Sequence, residues 1–205
     1  MNTVIIKYNA GNIQSVRYAL ERIGVEPIVT DDHRQILEAD KVIFPGVGEA
    51  STAMAYLRAR GLDELIRDLQ QPTLGICLGM QLMCRHSEEN DTHALGIFDE
   101  DVVLFRPAAA DPGPQGQRWK VPQIGWNSIY GLQGALFQGI AAHSYCYFVH
   151  GYYAAIGAHT VATANYIGPY SAALEKNNFY GVQFHPEKSA AVGERILRNF
   201  LAIRP

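Results

Sequence analysis

Cysteine is scarce in this chain, and its three residues, Cys77, Cys84 and Cys146, form an odd set with no Cys-x-x-Cys spacing. That excludes a disulfide framework and a zinc knuckle. Long hydrophobic runs are missing too: the longest, residues 73–84, is interrupted by Gly75, Gly79 and Gln81 and falls well short of the ~20 apolar residues of a membrane helix. The opening Met1-Asn2-Thr3-Val4-Ile5-Ile6-Lys7 lacks the basic start and small-residue cleavage site of a signal peptide, so a cytoplasmic location is expected. A net charge of −3 without a run of Lys or Arg gives no electrostatic footprint for nucleic acid or for a membrane surface. His-x-x-x-His and acid clusters at metal-ligand spacing are absent, which argues against a metal site. A small-molecule substrate fits this balance best.

What is present is a globular composition. The 205 residues are 48% hydrophobic and 18% charged, enough to bury a sizeable core in one domain, expected to span 1–205. Val4-Ile5-Ile6 is a short apolar run that stops at Asn9-Ala10-Gly11-Asn12. Beyond it Ile13, Val16, Leu20 and Ile23 recur at helical spacing up to Gly24. The grammar repeats through Pro27-Ile28-Val29, a short helix entered at Asp31 or Asp32, and Val42-Ile43-Phe44. Two helical stretches split at Gly61 follow, then a strand at Thr73-Leu74-Gly75-Ile76 running into a helix after Cys77. This alternation predicts an α/β fold with a mostly parallel sheet covered by helices on both faces. From about Gly96 short Val, Ile, Tyr and Phe runs between Gly, Pro and Asn turns predict an additional antiparallel β region at 101–105, 144–149, 159–165, 172–176 and 179–184, closed by a helix carrying Ile196, Leu197, Phe200 and Leu201. Residues 108–116, rich in Ala, Pro and Gly, read as an exposed loop.

Gly75-Ile76-Cys77-Leu78-Gly79 has the form of a nucleophile elbow, a strand turning sharply into a helix with a cysteine at the turn. Glycines on either side leave room for the turn, and a helix N-terminus behind the thiol favours its thiolate. From this chain's own counts about 0.03 such arrangements are expected by chance, so the spacing is informative. His185-Pro186-Glu187 follows the strand ending at Phe184. In extended backbone positions 185 and 187 point the same way, so Glu187 can orient His185 while His185 takes the proton of Cys77. About 0.7 such His-x-acid pairs are expected by chance, and this segment gains its weight from the elbow. His33, His86, His93, His143 and His159 read as surface residues, and Asn9-Ala10-Gly11-Asn12 as a plain loop between strand and helix.

Taken in order, Pro45-Gly46-Val47-Gly48, Gly75-Ile76-Cys77-Leu78-Gly79-Met80-Gln81, Ser87-Glu88-Glu89, Val121-Pro122-Gln123-Ile124-Gly125-Trp126-Asn127, Tyr147-Phe148-Val149-His150 and the segment from Gly181 to Ser189 carry a resemblance. From residue 3 onward the chain resembles the glutaminase subunits of imidazole glycerol phosphate synthases, which are class I glutamine amidotransferases of histidine biosynthesis. The resemblance implies a class I amidotransferase (flavodoxin-like) fold without a cofactor, and hydrolysis of glutamine to glutamate and ammonia by a Cys77-His185-Glu187 triad. It places the oxyanion on the N–H groups of Leu78, free at a helix start, and Val47. It assigns glutamine binding to Gly48, Gln81, Glu89, Gly151 and Tyr152. The implied partner is a TIM-barrel synthase (cyclase) subunit in a heterodimer, met through Trp126, Tyr147 and Lys188. Gln123 stands where the family commonly has His, and Gly151 where Ser or Thr is common. Two alternatives stay open: another class I glutaminase, serving pyridoxal phosphate synthesis or sugar amidination, and a non-catalytic or redox module built on the elbow cysteine.

Overall fold

In the computed structural model, which describes residues 1–9, 11–108, 113 and 118–204, the first half of the chain follows the predicted alternation. Strand β1 (Thr3–Ile6) leads to α1 (Ile13–Arg22), β2 (Ile28–Thr30) and α2 (His33–Leu37), whose N-terminus is capped by the Asp32 carboxylate accepting from the Gln35 N–H. Strand β3 (Lys41–Phe44) then leads to α3 (Ala50–Ala59) and α4 (Leu62–Asp68), separated at Gly61, whose left-handed φ of 64° ends one helix and admits the next. Strand β4 (Thr73–Ile76) turns directly into α5 (Leu78–Met83).

Beyond this point strands dominate: β5 (His86–Ser87), β6 (Thr92–His93), β7 (Asp101–Leu104), β8 (Gln123–Ile129), β9 (Ser144–His150), β10 (Tyr152–Ala154), β11 (Thr160–Asn165), β12 (Pro169–Lys176) and β13 (Phe179–Val182), before the closing helix α6 (Ala190–Ala202). Apart from Ala108 and Gly113, the loop expected at 108–116 lies outside the described residues.

Seven strands form the central sheet in the order β11-β12-β13-β4-β3-β1-β2. The five from β13 to β2 are parallel, and β12 and β11 add an antiparallel margin. Successive residues of the inner strands feed opposite faces, as a period of two requires. Val4, Ile6, Val42 and Phe44 pack with Ile36, Met54, Leu57, Leu62 and Ile66 from α2, α3 and α4. Ile5, Ile43, Leu74 and Ile76 pack with Val16 and Leu20 of α1 and with Ile196, Leu197 and Phe200 of α6. Helices therefore cover both faces, and no described helix is long and apolar enough to cross a membrane.

Three expectations need correction. Phe179–Val182 is parallel to β4 and completes the parallel core, although it sits in the strand-rich half; only its other neighbour, β12, is antiparallel. The long strand β8, which pairs with β9 over seven residues, was not expected, because its Ile124 and Trp126 face solvent at 65% and 53% exposure and Gly125 interrupts the run. Among the histidines, His159 is half-buried and its Nδ1 lies 3.0 Å from the buried Glu100 carboxylate, so it is a paired residue under the surface and not a free one on it.

The crossing of α5 over the sheet leaves no space for a side chain at position 79, where a Cβ would overlap the Phe44 carbonyl oxygen. Gly79→Ala should destabilise the protein by about 3 kcal/mol, because the obstacle is backbone and cannot rotate away. Urea unfolding should show a midpoint well below that of the wild type, and an unchanged midpoint would mean that the elbow has slack the packing does not suggest.

Candidate active site

Cys77 sits at the end of β4 with φ 52° and ψ −110°, a conformation that a non-glycine residue holds only under constraint from its surroundings. Its N–H donates to the Val182 carbonyl at 2.8 Å, fixing it beside the end of β13. The residue is 5% exposed, and its thiol donates to the Val149 carbonyl at 3.7 Å.

His185 is the third residue after β13. Its N–H donates to the Tyr147 carbonyl at 2.9 Å, and its Nδ1 lies 2.7 Å from Glu187 Oε1 with both side chains essentially fully buried. The pairing agrees with the expectation but the route to it does not. Pro186–Lys188 is a 3-10 turn with Pro186 at its start, so residues 185 and 187 meet across a helical turn and not along an extended strand. Proline suits the first position of such a turn because its fixed φ is already helical and its missing N–H is not needed there.

Burial alone would push the His185 imidazole down, but the neighbouring Cys77 and Glu187 favour the charged ring and hold its pKa up at about 10. Its Nε2 is buried without a hydrogen-bond partner among the described residues. A buried, unpaired ring nitrogen beside a thiol is arranged to exchange a proton with it.

One cleft of about 260 Å³ gathers the other residues singled out from sequence: Val47, Gly48, Leu78, Gln81, Glu89, Gly151 and Tyr152 line it together with Cys77. The Glu89 carboxylate accepts from the Ala50 N–H at 2.8 Å, while burial raises its pKa above the ordinary value and outweighs that bond. Leu78 departs from expectation. Its N–H is not free but donates to the Gly46 carbonyl at 3.2 Å, because α5 starts directly against the 45–48 segment. In turn the Val47 carbonyl accepts from the Gly11 N–H at 3.2 Å.

Trp126, Tyr147 and Lys188 lie apart from the cleft. Trp126 and Tyr147 are register partners across the β8–β9 ribbon with ring centroids 5.9 Å apart, and Lys188 is exposed on the 3-10 turn.

Three further residues belong to the site. The Asn12 amide donates to Glu187 Oε1, so the loop read as plain supplies a partner to the carboxylate. Asn12 is left-handed at φ 70°, a region asparagine tolerates; that tendency is visible in sequence, but the distance from residue 12 to residue 187 is not. His150 lines the cleft with Nδ1 2.7 Å from the Tyr152 carbonyl and Nε2 unpaired among the described residues. Burial lowers its pKa to about 4, so it is neutral at physiological pH. Gln183 is fully buried and donates to the Cys77 sulfur at 3.7 Å. Among the described residues no group of three or more His, Cys, Asp or Glu could hold a metal ion.

The family described as glutamine amidotransferase class-I matches residues 4–203. The chain is 55% identical over 201 residues to the imidazole glycerol phosphate synthase subunit HisH of Bacteroides thetaiotaomicron, covering 98% of this chain and 99% of that one. It is 48% identical over 203 residues to the subunit of the same name from Escherichia coli, again covering 98% and 99%. The solved structure of a putative GMP synthase protein from Thermoplasma acidophilum superimposes with a TM-score of 0.72 at 19% identity, covering 98% of this chain and 92% of that one; at that identity the likeness is one of fold.

Only Cys77 opens onto the cleft. Cys84 and Cys146 are fully buried, and burial pushes the Cys84 thiol well up and the Cys146 thiol to about 12. Brief treatment of the native protein with iodoacetamide should therefore label Cys77 alone, as read by peptide mass spectrometry. Equal labelling of Cys84 or Cys146 would contradict the described packing.

Proposed function

The chain belongs to the class I glutamine amidotransferases, and from that premise we propose that it is the glutaminase subunit of an imidazole glycerol phosphate synthase, hydrolysing glutamine to glutamate and ammonia. The observation that carries the chemistry is a thiol on a constrained elbow facing a buried imidazole whose far nitrogen is held by a carboxylate at 2.7 Å. The 48–55% identity to HisH subunits favours this reading over glutaminases that serve other pathways, and over a redox module.

Cys77 gives its proton to His185 Nε2, and the sulfur attacks the side-chain amide carbon of glutamine. His185 returns that proton to the departing nitrogen, ammonia leaves, and a glutamyl thioester remains on Cys77. His185 then takes a proton from water as the water adds to the thioester; glutamate departs and the thiol is restored. Glu187 keeps His185 oriented and favours its charged form. Gly48, Gln81, Glu89, Gly151 and Tyr152 hold the substrate glutamine, and the half-buried Glu89 carboxylate suits its ammonium group.

The tetrahedral intermediate needs donors for its oxyanion. Val47 N–H and the Gly46 carbonyl belong to one peptide unit. With the Gly46 carbonyl bound to Leu78 N–H, the acceptor stands where a donor is required. Rotating this single peptide withdraws the carbonyl, frees Leu78 N–H and presents Val47 N–H. Glycine at 46 and at 48, the latter already at φ 138°, makes the rotation easy. The resting geometry is therefore an inactive state that a partner can bias.

That partner is a TIM-barrel synthase subunit, forming a heterodimer in the cytoplasm and receiving the ammonia, and Trp126, Tyr147 and Lys188 meet it. The β8–β9 ribbon suits the role: it presents Ile124, Trp126 and Tyr145 to solvent, and its Tyr147 carbonyl is bonded to the His185 N–H, so a load on the ribbon reaches the triad directly. One amidotransferase domain carries all these parts.

Cys77→Ser should abolish glutamine hydrolysis while the complex still uses free ammonia, and wild-type turnover in this variant would end the nucleophile assignment. Glu187→Gln should be milder than His185→Ala. Because Glu187 raises the His185 pKa, its loss should also move the alkaline limb of the pH–kcat profile downward from about 10. An unmoved limb would remove Glu187 from the triad. The isolated chain should be a poor glutaminase, activated about 100-fold by the ligand-bound synthase partner, which requires about 2.7 kcal/mol of differential stabilisation; Lys188→Ala should weaken that activation. Full activity without a partner would refute the gating.

A further inference from the structure

Gln183 lies against the Cys77 thiol, and the polarity of its amide is fixed by a chain of hydrogen bonds. The Gln81 amide nitrogen donates to the Tyr152 carbonyl at 2.8 Å and to Gln183 Oε1 at 2.9 Å. The Tyr152 carbonyl can only accept, so this end of Gln81 must be its NH₂ group. Gln183 must then present its oxygen to Gln81 and its own NH₂ to Cys77, from which it donates to the sulfur at 3.7 Å. A fully buried amide has no solvent into which it could turn instead.

Two groups thus bracket the sulfur at the same distance, the Val149 carbonyl and the Gln183 NH₂, each at 3.7 Å. The neutral thiol is satisfied by both, donating to one and accepting from the other. When the proton leaves for His185, the two diverge. The carbonyl becomes a repelling dipole, and the amide becomes a charge-assisted donor. Removing that donor leaves the anion facing a carbonyl in a low-dielectric pocket, where an unbalanced dipole matters most.

We propose that Gln183 is a positioning residue for the reaction, holding the Cys77 sulfur in line and stabilising its thiolate through an amide whose direction is set by Gln81 and the Tyr152 carbonyl. The proposal rests on Cys77 being the nucleophile. It also ties substrate contact to nucleophile activation, because Gln81 both lines the cleft and orients Gln183.

The test is the pH dependence of iodoacetamide alkylation at Cys77 in the full-length chain without glutamine, compared among wild type, Gln183→Leu and Gln183→Glu, with kcat measured in the synthase complex. Gln183→Leu removes the donor, and Gln183→Glu keeps the shape but places a carboxylate at the sulfur. The alkylation midpoint should rise by about one pH unit in Gln183→Leu and further in Gln183→Glu, with kcat falling about tenfold or more. A purely structural glutamine would lower the thermal midpoint and leave the alkylation profile in place; an unmoved profile in either folded variant overturns the proposal. If the leucine variant does not fold, the near-isosteric glutamate variant decides alone. Cys77→Ser separates the two levels, since hydrolysis surviving in that variant would remove the nucleophile reading itself, whereas a dead Cys77→Ser beside unmoved Gln183 variants would defeat only the role given to Gln183.

Discussion

The close approach of α5 to the sheet is the constraint on which the rest of the site depends. Position 79 cannot carry a Cβ because the Phe44 carbonyl occupies that space, and a Cβ at position 75 would meet the Met80 nitrogen at 2.8 Å. With the helix pressed this tightly, Cys77 must make the whole turn from strand to helix in one residue, and its φ of 52° is the consequence. Strain of this kind stands at about 1–3 kcal/mol and is offset by the burial around it, since every residue of β4 and α5 is buried. The same turn sets the thiol at the mouth of the cleft, starts a helix at Leu78 beside the 45–48 segment, and places Gln81 one turn further along the cleft wall.

Three bonds join the resting site to the loops around it. Leu78 N–H is held by the Gly46 carbonyl, the Val47 carbonyl by Gly11 N–H, and the Glu187 carboxylate by the Asn12 amide. The segment between β1 and α1 therefore touches both the proposed oxyanion strand and the proposed triad. A displacement of this loop or of the β8–β9 ribbon is felt at the reacting atoms without passing through the hydrophobic core. Such an arrangement suits a chain similar to HisH proteins, which are named as subunits of imidazole glycerol phosphate synthase.

Much of this was legible in the chain because it depends on local pattern. The continuous apolar runs of Val4-Ile5-Ile6 and Val42-Ile43-Phe44 mark strands buried on both faces, Gly61 marks the break between α3 and α4, and the elbow glycines report a backbone collision that only their residue type avoids. Five of the six motifs that carry the family resemblance contribute residues to the cleft, all but the segment from Gly181 to Ser189. What was not legible depends on distance in space. Nothing near Asn12 in sequence announces Glu187, and Gln183 gains its meaning only when β13 lies beside β4 and brings its amide to the Cys77 sulfur. The β8 strand is hidden in sequence because Ile124 and Trp126 face outward and only Ile129 at its end enters the core, opposite to the pattern that reveals a core strand. His185 and Glu187 pair as expected but through a different geometry, because a two-residue spacing meets equally well across a proline-initiated 3-10 turn.

The central claim is that one peptide, between Gly46 and Val47, closes the oxyanion site at rest and opens it in the working complex. A crystal structure of the chain in complex with its ligand-bound synthase partner, with a glutamine-mimicking chloroketone attached to Cys77, reads that peptide directly. The Gly46 carbonyl should be turned away, with the N–H groups of Leu78 and Val47 both about 2.7–3.1 Å from the oxygen of the adduct. A Gly46 carbonyl still bonded to Leu78 N–H, with the adduct oxygen contacting neither donor, would contradict it.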